Sequence, residues 1–185
     1  MIGWTVGQLL SHLNSAANYI AVTGVPGMGK THLAQEVATQ TASRFLADPA
    51  AGPSPKVVLD QPFAAEECRW RQRAEMLSRR RWPAESPAAV SDFWLGQSLA
   101  YSRLWPDGRQ QAEFAAVCQA ADAEAVQPKL LVLLDASAVP DRGQIVRAEL
   151  RRLVFQRGRG PWLELDASQP DWALAELRAA LQAMR

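Results

Sequence analysis

Residues 20–31 read IAVTGVPGMGKT: an apolar run leads to Gly24, and after four intervening residues come Gly29, Lys30 and Thr31. Glycines at this spacing let the backbone curl so that successive amide N–H groups point into one concavity. The helical stretch that follows adds the positive end of its dipole to the same place. A strand, a glycine-rich turn and a helix in this order predict a phosphate-binding loop within an α/β fold.

Each residue of this loop has an expected task. The Lys30 ammonium reaches the outer phosphates of a bound nucleotide, and the Thr31 hydroxyl ligates Mg²⁺. We therefore expect the chain to bind ATP, or another nucleoside triphosphate, together with Mg²⁺. The residues expected to line the nucleotide are Gly24, Gly27, Met28, Gly29, Lys30, Thr31 and His32.

Length and charge narrow the class of protein. A chain of 185 residues with 48% hydrophobic and 21% charged residues suits one globular domain, preceded by a short extension over residues 1–17. A net charge of +1 gives no bulk attraction to nucleic acid or to an anionic membrane. No stretch reaches the roughly 18 apolar residues that a membrane span needs, and the first residues lack the pattern of a signal peptide. We expect a soluble, cytoplasmic protein.

Strand-like and helix-like segments alternate along the chain, which predicts a parallel sheet covered by helices on both faces. The predicted strands are 18–23, 56–60, 88–92, 129–135 and 162–166. The predicted helices are 30–42, 63–81, 94–103, 109–124, 143–156 and 171–184. A five-stranded sheet of order 2-3-1-4-5, as in P-loop NTPases of the kinase type, is the expected architecture.

Four of the predicted strands end on an aspartate: Asp60, Asp92, Asp135 and Asp166. Ligands of open α/β sheets lie beyond the carboxyl ends of the strands, so these acids stand at the edge where chemistry occurs. Aspartate is also a good turn former, and for Asp166 that interpretation is favoured. In small P-loop kinases the metal-site acid ends the third strand, beside the P-loop strand, which favours Asp92 over Asp135 for Mg²⁺.

Residues 18–184 resemble the deoxynucleoside kinase family, particularly its bacterial deoxyadenosine/deoxyguanosine kinase-like branch. VVLDQP at 57–62 is similar to the family's strand ending in Glu-x-Pro, whose carboxylate takes the proton of the 5′-hydroxyl. The resemblance thus implies Asp60 as the general base. LRRLVFQRGRG at 150–160 resembles the family's lid, here about 155–161, and implies that Arg157 and Arg159 close over the donor phosphates.

Two further segments carry the resemblance. WRQRAEMLSRR at 70–80 implies that Gln72 reads the nucleobase edge and that Arg79 neighbours the pocket. AVSDFWLGQSLAYS at 89–102 implies a metal-site acid, a base contact and a stacking aromatic ring, which fall on Asp92, Gln97 and Tyr101. Tyr101 is equally compatible with a place in the hydrophobic core. Resembling kinases are commonly dimers, so a homodimer is an implied possibility.

The resemblance implies an ATP-dependent phosphotransferase that moves the γ-phosphoryl group to the 5′-hydroxyl of a (deoxy)nucleoside. A kinase for nucleoside monophosphates or another small metabolite is the first alternative, because an acceptor phosphate could be held by arginines. Those arginines are Arg69, Arg71, Arg73 and Arg79. The second alternative is a catalytically weakened nucleotide-binding subunit that regulates a partner, since the acids of this chain depart from the family's pattern.

Overall fold

The structure, a computed structural model, describes residues 19–49, 63–82, 88–136, 139, 141–156 and 160–183. Its sheet has five parallel strands in the order β2-β3-β1-β4-β5. The strands are β1 (Tyr19–Gly24), β2 (Arg44–Leu46), β3 (Ala89–Ser91), β4 (Leu130–Asp135) and β5 (Trp162–Asp166). The helices are α1 (Lys30–Gln40), α2 (Phe63–Met76), α3 (Gln97–Ser102), α4 (Gly108–Asp122), α5 (Asp141–Gln156) and α6 (Pro170–Ala183), with a 3₁₀ turn at Arg79–Arg81.

The central strands β1 and β4 are apolar on both faces because helices cover both sides of a parallel sheet. Every residue of β4, LLVLLD, is buried. Alternate residues divide between two hydrophobic cores. Leu131 and Leu133 pack with helices α2 to α5 on one face, whereas Val132 and Leu134 pack with α1 and α6 on the other. The sheet thus fixes the ends of β1, β3 and β4 at one edge, where the phosphate-binding loop emerges.

The predicted architecture and strand order are confirmed, but the prediction for the second strand is wrong. The strand that pairs with β3 is Arg44–Leu46, in the register Arg44↔Ala89 to Leu46↔Ser91. It is three residues long and its first residue is exposed, so it carries little of the apolar run that marks a buried strand. Residues 56–60, including Asp60, lie outside the described residues.

Among the helices of the described residues, none combines the length and the apolar character needed to cross a bilayer. Of the two cysteines, Cys118 is buried, whereas Cys68 is exposed on α2.

Candidate functional site

The loop between β1 and α1 has the backbone that its glycines predict. Gly27 and Gly29 have φ values of 88° and 78°, in the left-handed region that favours glycine. Gly24 must lack a side chain for another reason, since a Cβ atom there would lie 2.5 Å from the carbonyl oxygen of Leu134. The first glycine therefore allows β1 and β4 to approach closely, and the later two turn the chain into the helix.

Lys30 is the first residue of α1, and its Nζ donates a hydrogen bond to the carbonyl of Val25 at 3.1 Å, across the loop. Burial lowers the pKa of Lys30 to about 8, against the opposing attraction of Asp48 and Asp92, while the nearby Arg73 lowers it further. The ammonium group is therefore held beside the loop at a position where a phosphate would favour its charged form.

A short chain of hydrogen bonds joins the loop to the ends of β3 and β2. The Thr31 hydroxyl donates to Asp92 Oδ2 at 2.5 Å, and the backbone N–H of Asp48 donates to Asp92 Oδ1 at 2.6 Å. Asp92 is 2% exposed. Because β3 lies beside β1, the three residues meet at one point of the sheet edge.

These oxygens suit Mg²⁺, a hard cation that proteins usually hold through one or two carboxylates together with substrate phosphates and water. Within the described ranges no cluster of three or more His, Cys, Asp and Glu side chains could hold a metal ion unaided. A hydroxyl and a carboxylate beside a phosphate-binding loop are the smaller donor set that a nucleotide-bound Mg²⁺ requires. The residues present, Thr31 and Asp92, therefore fit the ion.

Asp135 and Asp166, the other two strand-end acids that the structure describes, are engaged elsewhere. Burial would raise the pKa of Asp135, but hydrogen bonds from Arg147 and the charge of Arg151 lower it overall. Arg147 donates hydrogen bonds from its Nε and Nη2 to the two carboxylate oxygens of Asp135, at 2.5 and 2.7 Å. Asp166 accepts hydrogen bonds from the backbone N–H and hydroxyl of Ser168, as a turn-forming aspartate does. Asp92 is thus the better supported of the three as a metal ligand.

A buried arginine, Arg73, lies next to Asp48; in the sequence analysis it was named only for the alternative of a phosphate-bearing acceptor. Arg73 is 2% exposed and uses its Nε and Nη2 to hold both oxygens of Asp48, at 3.1 and 2.7 Å. Its Nη1 donates to Glu66 Oε1 at 3.0 Å and to Ser98 Oγ at 2.7 Å. Burial alone would lower the pKa of Arg73, but the two carboxylates more than compensate and raise it. Arg73 therefore remains charged and fixes the Asp48 side chain.

The structure brings Gln97 and Tyr101 of α3 to this cluster. Gln97 is 1% exposed; its Oε1 accepts from the Thr23 hydroxyl at 3.1 Å, and its Nε2 donates to Asp48 Oδ2 at 3.5 Å. The buried Tyr101 ring lies within electrostatic reach of Arg73 and Asp48, and burial raises the pKa of its hydroxyl despite the opposing charge of Arg73. The Gln97 amide thus bonds to Thr23 and Asp48 of the protein itself and helps to orient the Asp48 carboxylate.

Gln72 and Arg79 are not brought to the cluster, since both side chains are exposed. The inward face of α2 carries Glu66, Arg69, Trp70 and Arg73, a spacing of three to four residues that leaves position 72 on the outer side. Two features of the sequence could have pointed to Arg73 and Asp48. One is the spacing of the charged residues Glu66 and Arg73, and the other is the sequence Asp48-Pro49 shortly after a short strand. Asp60, Arg157 and Arg159 lie outside the described residues.

An apolar cavity of about 470 Å³ opens beside the phosphate-binding loop, between α1, the end of β4 and the start of α6. Its volume is within the range of small-molecule sites. It includes Met28 and His32, which were predicted to contact the nucleotide. Its lining includes Gly27, Met28, His32, Leu134, Ala167 and Leu174. Because Gly27 and Gly29 form one wall, the cavity continues directly from the loop.

Solved structures share this fold. A deoxyadenosine kinase from M. mycoides, solved with the products dCMP and a flexible dCDP, matches with a TM-score of 0.71 at 11% identity, over 89% of this chain and 99% of that one. The same enzyme with bound dATP gives 0.68. Thymidylate kinase from Ehrlichia chaffeensis gives 0.62 at 14% identity, over 91% and 99%.

The expected resemblance to deoxynucleoside kinases is thereby confirmed at the level of the fold, which is the α/β P-loop NTPase fold. No protein-family model matches the sequence, and no curated protein matches it either.

Proposed function

We propose that this protein transfers the γ-phosphoryl group of ATP to the 5′-hydroxyl of a deoxynucleoside. The observation that carries the proposal is the hydrogen-bonded chain from Thr31 through Asp92 to Asp48. These hydrogen bonds link the phosphate-binding loop directly to an acidic residue at the end of the second strand. Phosphoryl transfer requires this proximity, because its catalysis consists mostly of holding donor and acceptor in line and stabilising charge.

On the donor side, the triphosphate lies against the amides of residues 25–31, with Lys30 at the outer phosphates. The nucleoside part occupies the adjoining apolar cavity, where Met28, Leu134 and Leu174 offer surface to a flat base. Thr31 and Asp92 hold Mg²⁺, which when bound neutralises charge on the phosphates. Arg157 and Arg159, which follow α5, close over the same phosphates as a lid and add positive charge once the site shuts.

On the acceptor side, Asp48 occupies the place at the end of the second strand that the resemblance assigned to Asp60. Its carboxylate is fixed by Arg73 and Gln97, so it accepts the hydrogen bond of the 5′-hydroxyl from a constant position. Asp60 is the second candidate for this role.

The charge of the cluster favours an uncharged acceptor over a nucleoside monophosphate. Three positive and three negative side chains meet there and sum to zero: Lys30, Arg69, Arg73, Asp48, Glu66 and Asp92. An added acceptor phosphate would meet no net positive charge from these six side chains. A nucleoside brings no charge, and its hydroxyl needs only a single acceptor.

Label transfer from γ-labelled ATP, with Mg²⁺ and separate panels of deoxynucleosides and nucleoside monophosphates, tests the proposal. We expect label on deoxynucleosides. Asp48→Asn and Asp60→Asn form a matched pair, and the loss of kcat should be the larger for Asp48→Asn, with folding of both checked by circular dichroism. Transfer to monophosphates alone would assign the other kinase class. ATP binding without transfer to any acceptor would indicate a regulatory subunit.

A further inference from the structure

The apolar cavity beside the phosphate-binding loop carries acidic groups. Among the described residues that line it, the ionisable side chains are His32 and Glu36 of α1 and Asp171 of α6, and these lining residues include no lysine or arginine. A nucleotide brings negative charge in its phosphates, which the loop amides and Lys30 meet. A carboxylate in the same cavity repels those phosphates, so its partner must be another part of the ligand.

Asp171 lies at the end of the cavity that a nucleotide base would reach. It belongs to the first turn of α6, which follows β5, and β5 lies two strands away from β1 in the sheet. Neighbouring strands are about 4.8 Å apart, so the start of α6 is displaced by about 10 Å from the strand that leads into the loop. Leu134 of β4 lies between them and lines the same cavity. A nucleotide with its phosphates in the loop thus extends across β4, with the ribose nearer the loop and the base nearer Asp171.

The Asp171 carboxylate is available to a ligand. Its side chain is exposed, and it forms no hydrogen bond or ion pair with the other residues that the structure describes. Glu36, by contrast, accepts a hydrogen bond from Gln40 Nε2 at 3.4 Å. The first turn of α6 is a favourable place for a negative charge, because it is the positive end of the helix dipole. Asp171 therefore offers two acceptor oxygens to the cavity from a fixed backbone position.

We propose that Asp171 is a specificity-determining residue that binds the Watson–Crick edge of the donor base and favours guanine over adenine. The inference rests on the proposed function and concerns the donor nucleotide alone. Guanine presents two adjacent N–H donors on this edge, at N1 and at the 2-amino group, and a carboxylate can accept from both. Adenine presents its 6-amino group beside the N1 acceptor, so one carboxylate oxygen would face a lone pair. ATP then remains a donor but binds more weakly than GTP.

Binding of nucleoside triphosphates to the wild-type chain, measured by titration calorimetry with Mg²⁺ and without acceptor, tests the proposal. Inosine triphosphate has the shape of GTP and keeps the N1–H group, but it lacks the 2-amino group. We expect the Kd of GTP to be roughly tenfold lower than those of inosine triphosphate and ATP, because each of them loses a hydrogen bond to a charged group. This comparison uses the unmodified protein, so a folding defect cannot explain the result.

Variants then assign the effect to the side chain. In Asp171→Asn the Kd values for GTP and inosine triphosphate should converge. The new amide donates an N–H bond, so xanthosine triphosphate, which has an oxygen in place of the 2-amino group, should bind Asp171→Asn more tightly than it binds the wild type. A loss of a merely structural acid would not produce this gain. Glu176→Gln is the matched control, because Glu176 is exposed on α6 and is not among the described residues that line the cavity; it should keep the wild-type order.

Three results would overturn the proposal. The first is an equal Kd for GTP and ATP in the wild type, or tighter binding of ATP. The second is a preference for GTP that Asp171→Asn leaves intact and Glu36→Gln abolishes, which would place the contact on α1. The third is equal binding of all bases together with weaker binding of 2′-deoxy donors, which would assign the carboxylate to the ribose.

The two proposals fail in different ways. If the chain binds GTP through Asp171 but label from neither γ-labelled GTP nor ATP reaches an acceptor, the proposed phosphotransfer is wrong and the base preference stands. If label is transferred from both donors at similar KM and Asp171→Asn leaves these values unchanged, the kinase activity stands and Asp171 has no part in donor selection.

Discussion

Replacement of Arg73 by methionine tests the buried cluster most severely. Methionine keeps much of the length of the side chain but removes the guanidinium group that holds both oxygens of Asp48 and one of Glu66. The variant therefore removes the cation that holds both oxygens of Asp48 and one of the two arginines that pair with Glu66. Removing one partner of a buried ion pair costs about 3–5 kcal/mol, and Arg73 is 2% exposed, so solvent cannot replace it.

This cost is a large share of the 5–15 kcal/mol that stabilises a typical domain. With a urea m-value near 2 kcal/mol/M, the unfolding midpoint should fall by about 2 M. Urea unfolding followed by circular dichroism measures this shift at neutral pH. Arg71→Met is the matched control, because its side chain is 67% exposed and its ion pair with Glu67 lies at the surface, where such pairs contribute about 1 kcal/mol or less.

Arg73→Lys keeps the positive charge but loses the two parallel N–H donors of the guanidinium group. Its urea midpoint should lie between those of wild type and Arg73→Met, since lysine cannot hold both oxygens of one carboxylate at fixed geometry. Equal midpoints for Arg73→Met and Arg71→Met would refute the reasoning. The carboxylates of Asp48 and Glu66 would then be stabilised by something other than Arg73.

Two further predictions concern the phosphate-binding loop. Lys30 is charged below its pKa of about 8, and phosphate binding favours the charged form, so the Kd for Mg-ATP should rise by up to tenfold per pH unit above pH 8. In Lys30→Met, calorimetry should give weaker binding without this pH dependence, and a wild-type Kd that stays constant from pH 7 to 9.5 would contradict the assignment. Gly24→Ala places a Cβ 2.5 Å from the Leu134 carbonyl oxygen, whereas Gly29→Ala meets no atom within 4 Å. Both variants carry backbone strain of roughly 1–2 kcal/mol, and overpacking adds about 1–3 kcal/mol to the first alone. Equal unfolding free energies for the two would show that β1 and β4 can separate without cost.

Much of the fold could be predicted from the sequence because its signals are local. The loop at residues 24–31 determines a strand before it and a helix after it, and the continuous apolar run of β4 is typical of a buried parallel strand. The second strand was missed because Arg44–Leu46 lies at the sheet edge and is partly exposed. Its place depends on pairing with β3, which local composition does not report.

The proximity of Thr31 to Asp92 could be predicted, because it follows from the position of the loop and from the strand beside it. The resemblance assigned base reading to Gln72, one residue away from the buried Arg73. The inward face of α2 is mostly charged, so the apolar periodicity of the sequence could not show which residues of this helix face the core. The engagement of Asp135 by Arg147 depends on how α5 packs against β4, and no local pattern indicates it.

Label transfer by wild type and Asp92→Asn, at saturating Mg-ATP and deoxynucleoside, tests the central claim most directly. Asp92 joins the loop to the acceptor side through Thr31 and Asp48, and misplacement of reacting groups by about 1 Å can cost roughly 100-fold in rate. The account predicts labelled 5′-monophosphate from the wild type and a rate lower by about 100-fold or more in Asp92→Asn. Wild-type turnover that survives Asp92→Asn unchanged would contradict the account.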